Sequence, residues 1–346
     1  MSNNAQEAGV FSILPEEHRQ QFRLLELPPD LLAILLTSSD PQSLLFKSAS
    51  ESIPGTPSET EAVICTPDAT YNIRQVNTSN SLYICQPSAA AASQERNGRE
   101  REPPGLQAIA QNDFTLQLSR AGPTSAAPYL KALLPTYAST GSYQTKDLLT
   151  KQQLFDNIPL SEAECAISWQ DLACFESPEP KSCFLPSPSA RAQAWKSILD
   201  LAVANRADMT APLSPQQVIL ILDPNEEWPV ELGRAVLGSV SNMDGDDVVV
   251  NADKCVVTIG LLQLAVARKL RRTLGLRVFL AEWKDALPEA WRAQAEMSKL
   301  PRTEYVISEG RQIKAAEPID AEAAATKADT KKRKWHDKFR ASKKTA

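Results

Sequence analysis

The chain has 346 residues, of which 42% are hydrophobic and 23% are charged, and its formal net charge is −5. This length is sufficient for two or more globular domains with cores of their own. Proline (25) outnumbers glycine (12), which excludes one long coiled coil and favours short elements with stiff connections. No apolar run reaches the roughly 18 to 20 residues of a membrane span. The N-terminus lacks a secretory pattern, so we expect a cytosolic or nuclear protein without membrane partners.

Cysteine and histidine usage argues against metal and histidine-based catalytic sites. No pair among the six cysteines has C-x2-C spacing, and the two histidines, His18 and His336, lie near the chain ends. We interpret Cys165, Cys174 and Cys183 as buried thiols.

The motifs of common catalytic and nucleotide-binding sites are also missing. The sequence contains no G-x-x-x-x-G-K-[ST], G-x-G-x-x-G or G-x-S-x-G motif. The acidic run Asp244–Asp247 lacks the ligand spacing of a calcium loop and is interpreted as a solvated turn. We therefore expect no catalytic residue, no cofactor and no metal.

Positive charge is concentrated at the C-terminus. Residues 327–346 contain nine Lys or Arg and two Asp, so the rest of the chain is acidic. Few aliphatic residues are present there, and residues 317–346 are predicted to form a disordered basic tail. Three roles remain open for its basic run: a nuclear import signal, a contact with phosphates, or a solubilising end. This run is Lys331, Lys332, Arg333 and Lys334. Trp335 and Phe339 have the spacing of a short helix that forms on binding.

Residues 1–135 are predicted to be β-rich. The apolar runs AVIC and TYNIRQV indicate two strands joined by a turn at Thr66–Ala69, and SLYIC indicates a third strand after a turn at Thr78–Asn80. Residues 86–104 contain almost no large apolar side chain and are predicted to be a disordered surface insert. The run Phe114–Leu118 alternates like another strand.

Strands that are few and widely separated leave unpaired edges, which invite association. We therefore expect residues 1–135 to heterodimerise, with a partner strand completing a shared barrel, and to be poorly soluble alone. The apolar strand positions are candidate core or interface residues: Val63, Ile64, Tyr71, Ile73, Leu82 and Ile84.

Helices and short hairpins alternate in the second half of the chain. Ser161 and Glu164 have the spacing of a capping box, residues 190–204 have an amphipathic helical pattern, and a hairpin is predicted around Asn251–Lys254. Cycles of about 60 residues are typical of tandem winged helices. The predicted winged-helix-like units span 140–205, 210–272 and 274–316.

One predicted helix, in residues 260–275, ends in a cationic cluster. Either these side chains face phosphates, or they lie in a solvated turn that suits the negative end of the helix. The cluster is Arg268, Lys269, Arg271 and Arg272. Winged helices also dock proteins, and the acidic body of the chain favours that role over strong DNA binding.

Two segments together resemble one family. Residues 61–85 are similar to the hairpin segment of DCC-type sister chromatid cohesion proteins. The matching positions there are Ala62–Cys65, Thr70–Arg74 and Asn77–Leu82. A second match comprises Asn251–Lys254, Leu280–Trp283 and Ala286–Pro288.

The resemblance implies an α+β fold: a β-rich N-terminal part, with its barrel completed by partner subunits, followed by tandem winged-helix domains. It implies a non-catalytic subunit of the chromosome-transmission-fidelity clamp loader, an alternative replication factor C complex. The implied partners are the large and small accessory subunits of that complex, the catalytic subunit of DNA polymerase epsilon, the sliding clamp indirectly, and DNA weakly. The implied role is nuclear and supports sister chromatid cohesion.

The chain departs from the family pattern at its C-terminal end. Family members continue into a last winged domain, which only Lys334–Trp335 echoes here, so we expect that domain to be missing or degenerate. The alternative interpretation is a winged-helix DNA-binding regulator that acts without a clamp loader.

Overall fold

The computed structural model describes residues 11–13, 19–37, 43–48, 62–87, 106–138, 149–178, 181–222, 228–308 and 311–316. These residues combine helices with several sheets, in agreement with the predicted mixed class. The chain divides into two compact units, one of residues 1–46 and 61–122, the other of residues 47–60 and 123–346. The predicted insert at 86–104 lies outside the described residues from residue 88 onwards, as does the predicted basic tail.

The first unit is built on an open six-stranded sheet. Its elements are β1 (Phe11–Ile13), β2 (Leu25–Glu26), α1 (Pro29–Thr37), β3 (Leu45–Lys47), β4 (Val63–Cys65), β5 (Thr70–Pro87) and β6 (Leu106–Arg120). The strand order is β1-β6-β5-β4-β3, and β2 also pairs with β6. Both β1 and β2 run parallel to β6, whereas β5 and β6 form a long antiparallel pair.

The predicted turn between the first two strands is confirmed. The amide of Thr66 donates to the Ala69 carbonyl at 2.9 Å, and the amide of Ala69 donates to the Thr66 hydroxyl at 3.0 Å. Both bonds are local and form within four residues, with proline and aspartate between them, which is why the turn could be predicted from the sequence.

The predicted turn at Thr78–Asn80 is wrong. β5 continues through these residues, and its pairing with β6 shifts register between Asn77 and Leu82. The turn-forming residues are accommodated as a bulge because β6 runs alongside on both sides of the irregularity. The predicted strand at Phe114–Leu118 is accordingly one part of the longer β6.

The core of the first unit lies at one end of the sheet. Buried side chains from α1, β4, β5 and β6 pack together there, with Ala69 of the turn: Leu31, Ile64, Ala69, Tyr71 and Leu118. The Tyr71 hydroxyl donates to Asp30 at 3.0 Å. The pKa of the Tyr71 hydroxyl is raised, chiefly because the side chain is buried and also because of this hydrogen bond. Among the described residues, few large side chains belong to this cluster, which limits the stability that they give to the unit.

Three successive groups of elements build the second unit. The first group comprises α2 (Ala127–Leu133), β7 (Thr136–Tyr137), α3 (Lys151–Asp156), α4 (Glu162–Asp171), β8 (Phe175–Pro178) and β9 (Lys181–Pro186). The second comprises α5 (Pro188–Ala204), α6 (Pro215–Ile221), α7 (Val230–Gly238), β10 (Ser241–Asp244) and β11 (Asp247–Val250). The third comprises α8 (Ala252–Lys269), β12 (Leu274–Gly275), α9 (Leu276–Asp285), 3₁₀ turns at Glu289–Gln294, Met297–Lys299 and Arg302–Glu304, β13 (Tyr305–Ile307) and β14 (Gln312–Ala315).

The three groups share one strand order, although β7 runs parallel to β9 in the first group, whereas the corresponding pairs in the second and third groups are antiparallel. In the first and third, the sheet orders are β7-β9-β8 and β12-β14-β13, so the last strand lies between the other two. In the second, Leu213 forms a bridge with Val248 of β11, and β11 pairs with β10, which gives the same order. Each group therefore has a helix, a short strand, further helical segments and a hairpin in the same sequence.

Side-chain caps begin several of these helices. Ser161 and Glu164 form the predicted capping box, in which the Ser161 hydroxyl accepts from the Glu164 amide. Thr150 and Ser214 form similar boxes, and Ser187 caps α5, the helix predicted at residues 190–204. These caps are local features that satisfy amides at a helix start.

The predicted hairpin around Asn251–Lys254 is wrong. Asn251 is instead the N-cap of α8, because its side chain accepts from the Lys254 amide at 2.9 Å. The hairpin lies earlier, between β10 and β11, where Gly245 has a positive φ of 61°. The β-branched residues after Asn251 suggested a strand, but burial of one face of α8 overrides that propensity.

A close helix contact holds α8 against α9. Trp283 is fully buried and donates from its indole nitrogen to the Val256 carbonyl at 2.9 Å. A Cβ at Gly260 would lie 2.6 Å from the Trp283 ring and 2.9 Å from Leu300. Glycine is therefore required at position 260, because a rigid indole occupies the space of a side chain.

Gly260→Ala should destabilise the second unit by about 1–3 kcal/mol, because overpacking outweighs the better helix propensity of alanine. Thermal unfolding followed by tryptophan fluorescence is the measurement. Gly238→Ala at the end of α7 is the matched control, since nothing lies within 4 Å of its added Cβ. Equal melting temperatures for the two variants would contradict the close contact.

Candidate partner-binding and nucleic-acid-binding surfaces

Within the described residues, one edge of β5 has no paired strand over most of its length. β4 pairs only with Thr70–Asn72 at the start of β5. From Ile73 to Pro87, β5 pairs with β6 on one side, and no strand of the described ranges pairs with its other side. Backbone donors and acceptors along this edge are available to a further strand.

The structure divides the predicted N-terminal interface residues into two sets. Val63, Ile64 and Tyr71 are 6%, 0% and 1% exposed, so they lie within the protein's own fold. The other three follow Asn72 and lie on the section of β5 with the unpaired edge: Ile73, Leu82 and Ile84. Of these, Leu82 is 39% exposed, whereas Ile73 and Ile84 are half-buried.

Exposed apolar side chains lie beside the same part of the sheet. Phe11 and Tyr83 form an edge-to-face pair with ring centroids 6.2 Å apart, and both are about half exposed. Phe11 is opposite Leu106, which is also exposed, in the pairing of β1 with β6. A cluster of exposed aromatic and aliphatic side chains on a sheet is typical of an association surface.

Polar side chains hold the β5 bulge in place. The Ser81 hydroxyl contacts Asp113 at 3.3 Å and accepts from the Gln111 amide at 3.0 Å, while Arg19 donates to Gln111 at 2.9 Å. The neighbouring Asn112 is buried, and its amide nitrogen has no hydrogen-bond partner within the described part of the chain. A buried donor without a partner is rare in native structures.

The predicted cationic cluster lies at the C-terminal end of α8. The amides of Arg271 and Arg272 donate to the carbonyls of Arg268 and Ala267, both at 2.9 Å, so the backbone closes the helix. Arg271 has a positive φ of 51°, the conformation that ends a helix in this way. Backbone amides, rather than the cationic side chains, therefore satisfy these carbonyls.

All four cations of the cluster are exposed. The Arg268 guanidinium donates to the Ala316 carbonyl at 3.4 Å. Across the described ranges, no carboxylate forms an ion pair with any member of the cluster. The cluster is therefore available to an anionic partner such as a phosphate.

The other predicted site features have ordinary structural roles. Cys165, Cys174 and Cys183 are buried, as predicted, and Asp244–Asp247 forms the turn between β10 and β11. Among the described residues, no group of His, Cys, Asp or Glu is arranged to hold a metal ion. Lys331, Lys332, Arg333 and Lys334 lie outside the described residues.

In the described part of the chain, no helix has both the length and the apolar character needed to cross a membrane.

Sequence reasoning found the strands of the N-terminal unit but missed the length of its unpaired edge. The signal was present in the two strand-like runs on either side of Thr78–Asn80, TYNIRQV and SLYIC, which both belong to β5. The turn residues between the two runs concealed that they belong to one strand.

The thiols should differ sharply in reactivity. Burial raises the pKa of Cys174, Cys183 and Cys255 to about 12. A group with a raised pKa keeps its proton, so at pH 8 only about one in ten thousand of these thiols is a thiolate. Cys85 is exposed, whereas the other five cysteines are buried.

A short pulse of iodoacetamide at pH 8, read by peptide mass spectrometry, should therefore label Cys85 alone. Guanidinium-unfolded chain should be labelled at all six cysteines. Labelling of Cys174 at a rate comparable to that of Cys85 in the folded chain would contradict the buried thiols.

The chain matches the family described as sister chromatid cohesion protein Dcc1 over residues 22–320. No curated protein matches the chain. The family acts in sister chromatid cohesion, which is a nuclear process. It is a scaffold-type family, not a known family of enzymes, and its role implies association with other cohesion or replication factor subunits. The match covers most of the chain and confirms the resemblance seen in the sequence, so this protein belongs to the Dcc1 family.

Proposed function

We propose that this chain is a non-catalytic scaffold subunit of an alternative replication factor C clamp loader. Its first unit joins the large and small accessory subunits, and its second unit reaches the catalytic subunit of DNA polymerase epsilon. The chain thereby links loading or unloading of the sliding clamp to leading-strand synthesis. ATP hydrolysis belongs to other subunits.

The unpaired edge of β5 at residues 73–87 carries this proposal. An exposed strand edge of this length is an aggregation hazard unless a partner strand covers it. Strands from the accessory subunits would pair there and close the open sheet into a shared barrel. The exposed apolar side chains Leu82 and Tyr83 support the same location, because both lie on this section of β5 and a paired strand would cover them.

Three winged helices are the best account of the second unit. A winged helix has a three-stranded sheet in which the last strand lies between the other two, and the three groups of elements have this order. We propose the boundaries 127–186, 188–250 and 252–315 in place of the sequence-based 140–205, 210–272 and 274–316. The revision assigns α5 to the second winged helix, because α5 precedes the Leu213 bridge and packs with α6 and α7, although it packs equally well with α8 of the third.

The mechanism of such a subunit is tethering. A chain that holds the clamp loader and the polymerase together raises their effective local concentration to about the millimolar range without new chemistry. The α8–α9 contact through Trp283 would keep the polymerase-binding array rigid. A rigid array would limit the range of distances between the clamp loader and the polymerase.

Purification of the tagged chain from nuclear extract, with mass spectrometry of the bound subunits, tests the proposal. Recovery of the replication factor C subunits together with the polymerase catalytic subunit is the expected result. Recovery of neither, from a preparation in which the chain is intact and soluble, would contradict it and favour the stand-alone DNA-binding regulator.

Leu82→Asp should reduce recovery of the accessory subunits by at least about tenfold, because a buried unpaired charge at an interface costs more than 1.4 kcal/mol. Ile219→Asp is the matched control, since Ile219 is a 68% exposed apolar residue of α6. Thermal unfolding verifies that both variants remain folded. Undiminished recovery with Leu82→Asp would contradict pairing at the β5 edge.

The cationic cluster supports a weak contact with DNA. If Lys269 and Arg272 each contact a phosphate, Lys269→Gln and Arg272→Gln should each lower the slope of log affinity against log salt by about 0.9. Lys131→Gln, an exposed cation of α2, is the control and should leave the slope unchanged. Fluorescence anisotropy with a duplex oligonucleotide is the measurement. If all three variants have the same slope as the unaltered chain, the cluster does not contact DNA.

The run Lys331–Lys334 supports nuclear entry as an import signal. A last winged domain beyond residue 316 is not part of this proposal, so DNA binding rests on the cluster alone. An enzymatic function has no support from the described residues.

A further inference from the structure

A large open groove lies within the second unit. Its volume is about 1230 Å³, and its walls come from α5, α8 and the segment from the end of α9 into the 3₁₀ turn at Glu289–Gln294. Small-molecule sites rarely exceed about 1,000 Å³ and enclose their ligand, so an open groove of this size is better suited to a peptide segment.

The floor of the groove is apolar. Trp195, Leu199 and Leu262 lie among its lining residues, and Val203 and Leu270, which also line it, are 80% and 54% exposed. Trp195 donates from its indole nitrogen to the Ala286 carbonyl at 2.8 Å, which fixes one wall against another. Exposed aliphatic side chains along a preformed groove are the pattern that receives the apolar face of a helix.

The rim of the groove is acidic. Five carboxylates and two cations line it: Asp200, Asp208, Glu282, Asp285 and Glu289, with Lys196 and Arg292. Asp208 accepts from Thr210, and this hydrogen bonding lowers the pKa of its carboxyl. Within the described ranges, the other four carboxylates form no ion pair. The rim therefore suits a cationic occupant with apolar anchors.

The chain itself contains a segment of this chemistry. Residues 331–340 read KKRKWHDKFR, in which six cations surround Trp335 and Phe339. A helix would place these two aromatic side chains on one face, at i and i+4, with cations on both sides. Other long basic runs with aromatic residues do not occur in the sequence.

The attachment point of this segment is close to the groove. Ala316, the last described residue, accepts from the Arg268 guanidinium, and Leu270, the C-cap residue just after α8, lines the groove. The 19 residues from Ala316 to Trp335 span roughly 25 Å as a flexible chain and up to about 60 Å when extended. The linker is therefore long enough for the aromatic residues to reach the groove. It gives them an effective concentration there of about the millimolar range.

The cationic cluster at the end of α8 opposes binding of a basic segment at that end. The carboxylates Glu282, Asp285 and Glu289 lie on a different wall, from α9 to the 3₁₀ turn. Repulsion at one wall and attraction at the other favour seating of the segment over α9 rather than beside Leu270.

We propose that the groove binds residues 331–340 of the same chain, with Trp335 and Phe339 on the apolar floor and the basic residues against the acidic rim. This inference is independent of the proposed scaffolding, because it concerns contacts within one chain, but a seated segment would withhold the import signal Lys331–Lys334 from other partners. Occupation of the groove would compete with any other basic partner for the same surface.

A photo-crosslinking residue at position 335 of the full chain, in the complex as purified from cells, tests this proposal. Mass spectrometry should map crosslinks to residues 189–203, 262–270 or 282–292 of the same chain. Asp285→Lys with Glu289→Lys should reduce these crosslinks by about tenfold, since both charges are exposed and lie on the proposed contact wall. Lys331→Glu with Lys332→Glu in the reversed background should restore them.

Asp244→Lys with Asp246→Lys is the matched control, because both carboxylates are exposed in the β10–β11 turn, outside the groove lining. Tryptophan fluorescence on heating verifies that the reversed variants remain folded. Crosslinks that map elsewhere on the chain, to a second copy or to another polypeptide would overturn the proposal. Groove crosslinks that remain at full yield in the Asp285→Lys, Glu289→Lys variant would also overturn the proposal. The same holds if no crosslink forms in a chain whose photo-crosslinking residue is verified by mass.

Discussion

An unpaired strand edge is the constraint on which the N-terminal unit depends. β5 is 18 residues long, yet β4 covers only its first three residues on one side. The buried cluster beside that covered end contains few large side chains, so it can support only part of the sheet. The remaining length of β5 has β6 on one side, and on the other side it pairs with no strand of the part of the chain that the structure describes. A partner strand would satisfy the backbone groups on that side and bury the exposed apolar residues in one step.

The short helices and strands of the second unit are stabilised by buried clusters within the unit. The first group has a buried cluster of its own, between Ala126 and Cys183. The second and third groups share another cluster, which also takes in Tyr137, Phe175 and Phe184 of the first group and includes Trp283 between α8 and α9. Rigidity of this array follows from contacts such as that of Trp283 with Gly260, which leave no space for movement.

Local signals in the sequence were reliable. The Thr66–Ala69 turn and the Ser161 capping box each depend on hydrogen bonds within four residues, so the sequence alone is sufficient to predict them. The thiols at Cys165, Cys174 and Cys183 were assigned to the interior because no metal-ligand spacing or histidine partner offered another role.

The failures have one cause, which is tertiary context. Thr78–Asn80 has the composition of a turn, but pairing with β6 on either side converts it into a bulge. Asn251 follows a β-branched run and precedes another, but the second run forms the buried face of α8. Unpaired edges in residues 1–135 were expected from the sequence, but the groove and the position and length of the edge on β5 could not be predicted, because they depend on which elements become neighbours. The family resemblance supplied the domain order that residue patterns alone did not.

Hydrogen exchange at the β5 edge tests the central claim most directly. Amides of residues 73–87 that point away from β6 would be measured in the chain alone and in the complex purified with its accessory subunits. If a partner strand pairs there, these amides should exchange rapidly in the chain alone. In the complex their exchange rates should fall by at least about a hundredfold, because each amide is then hydrogen-bonded to the partner strand. Equal exchange in the two preparations, with the complex intact, would contradict the account.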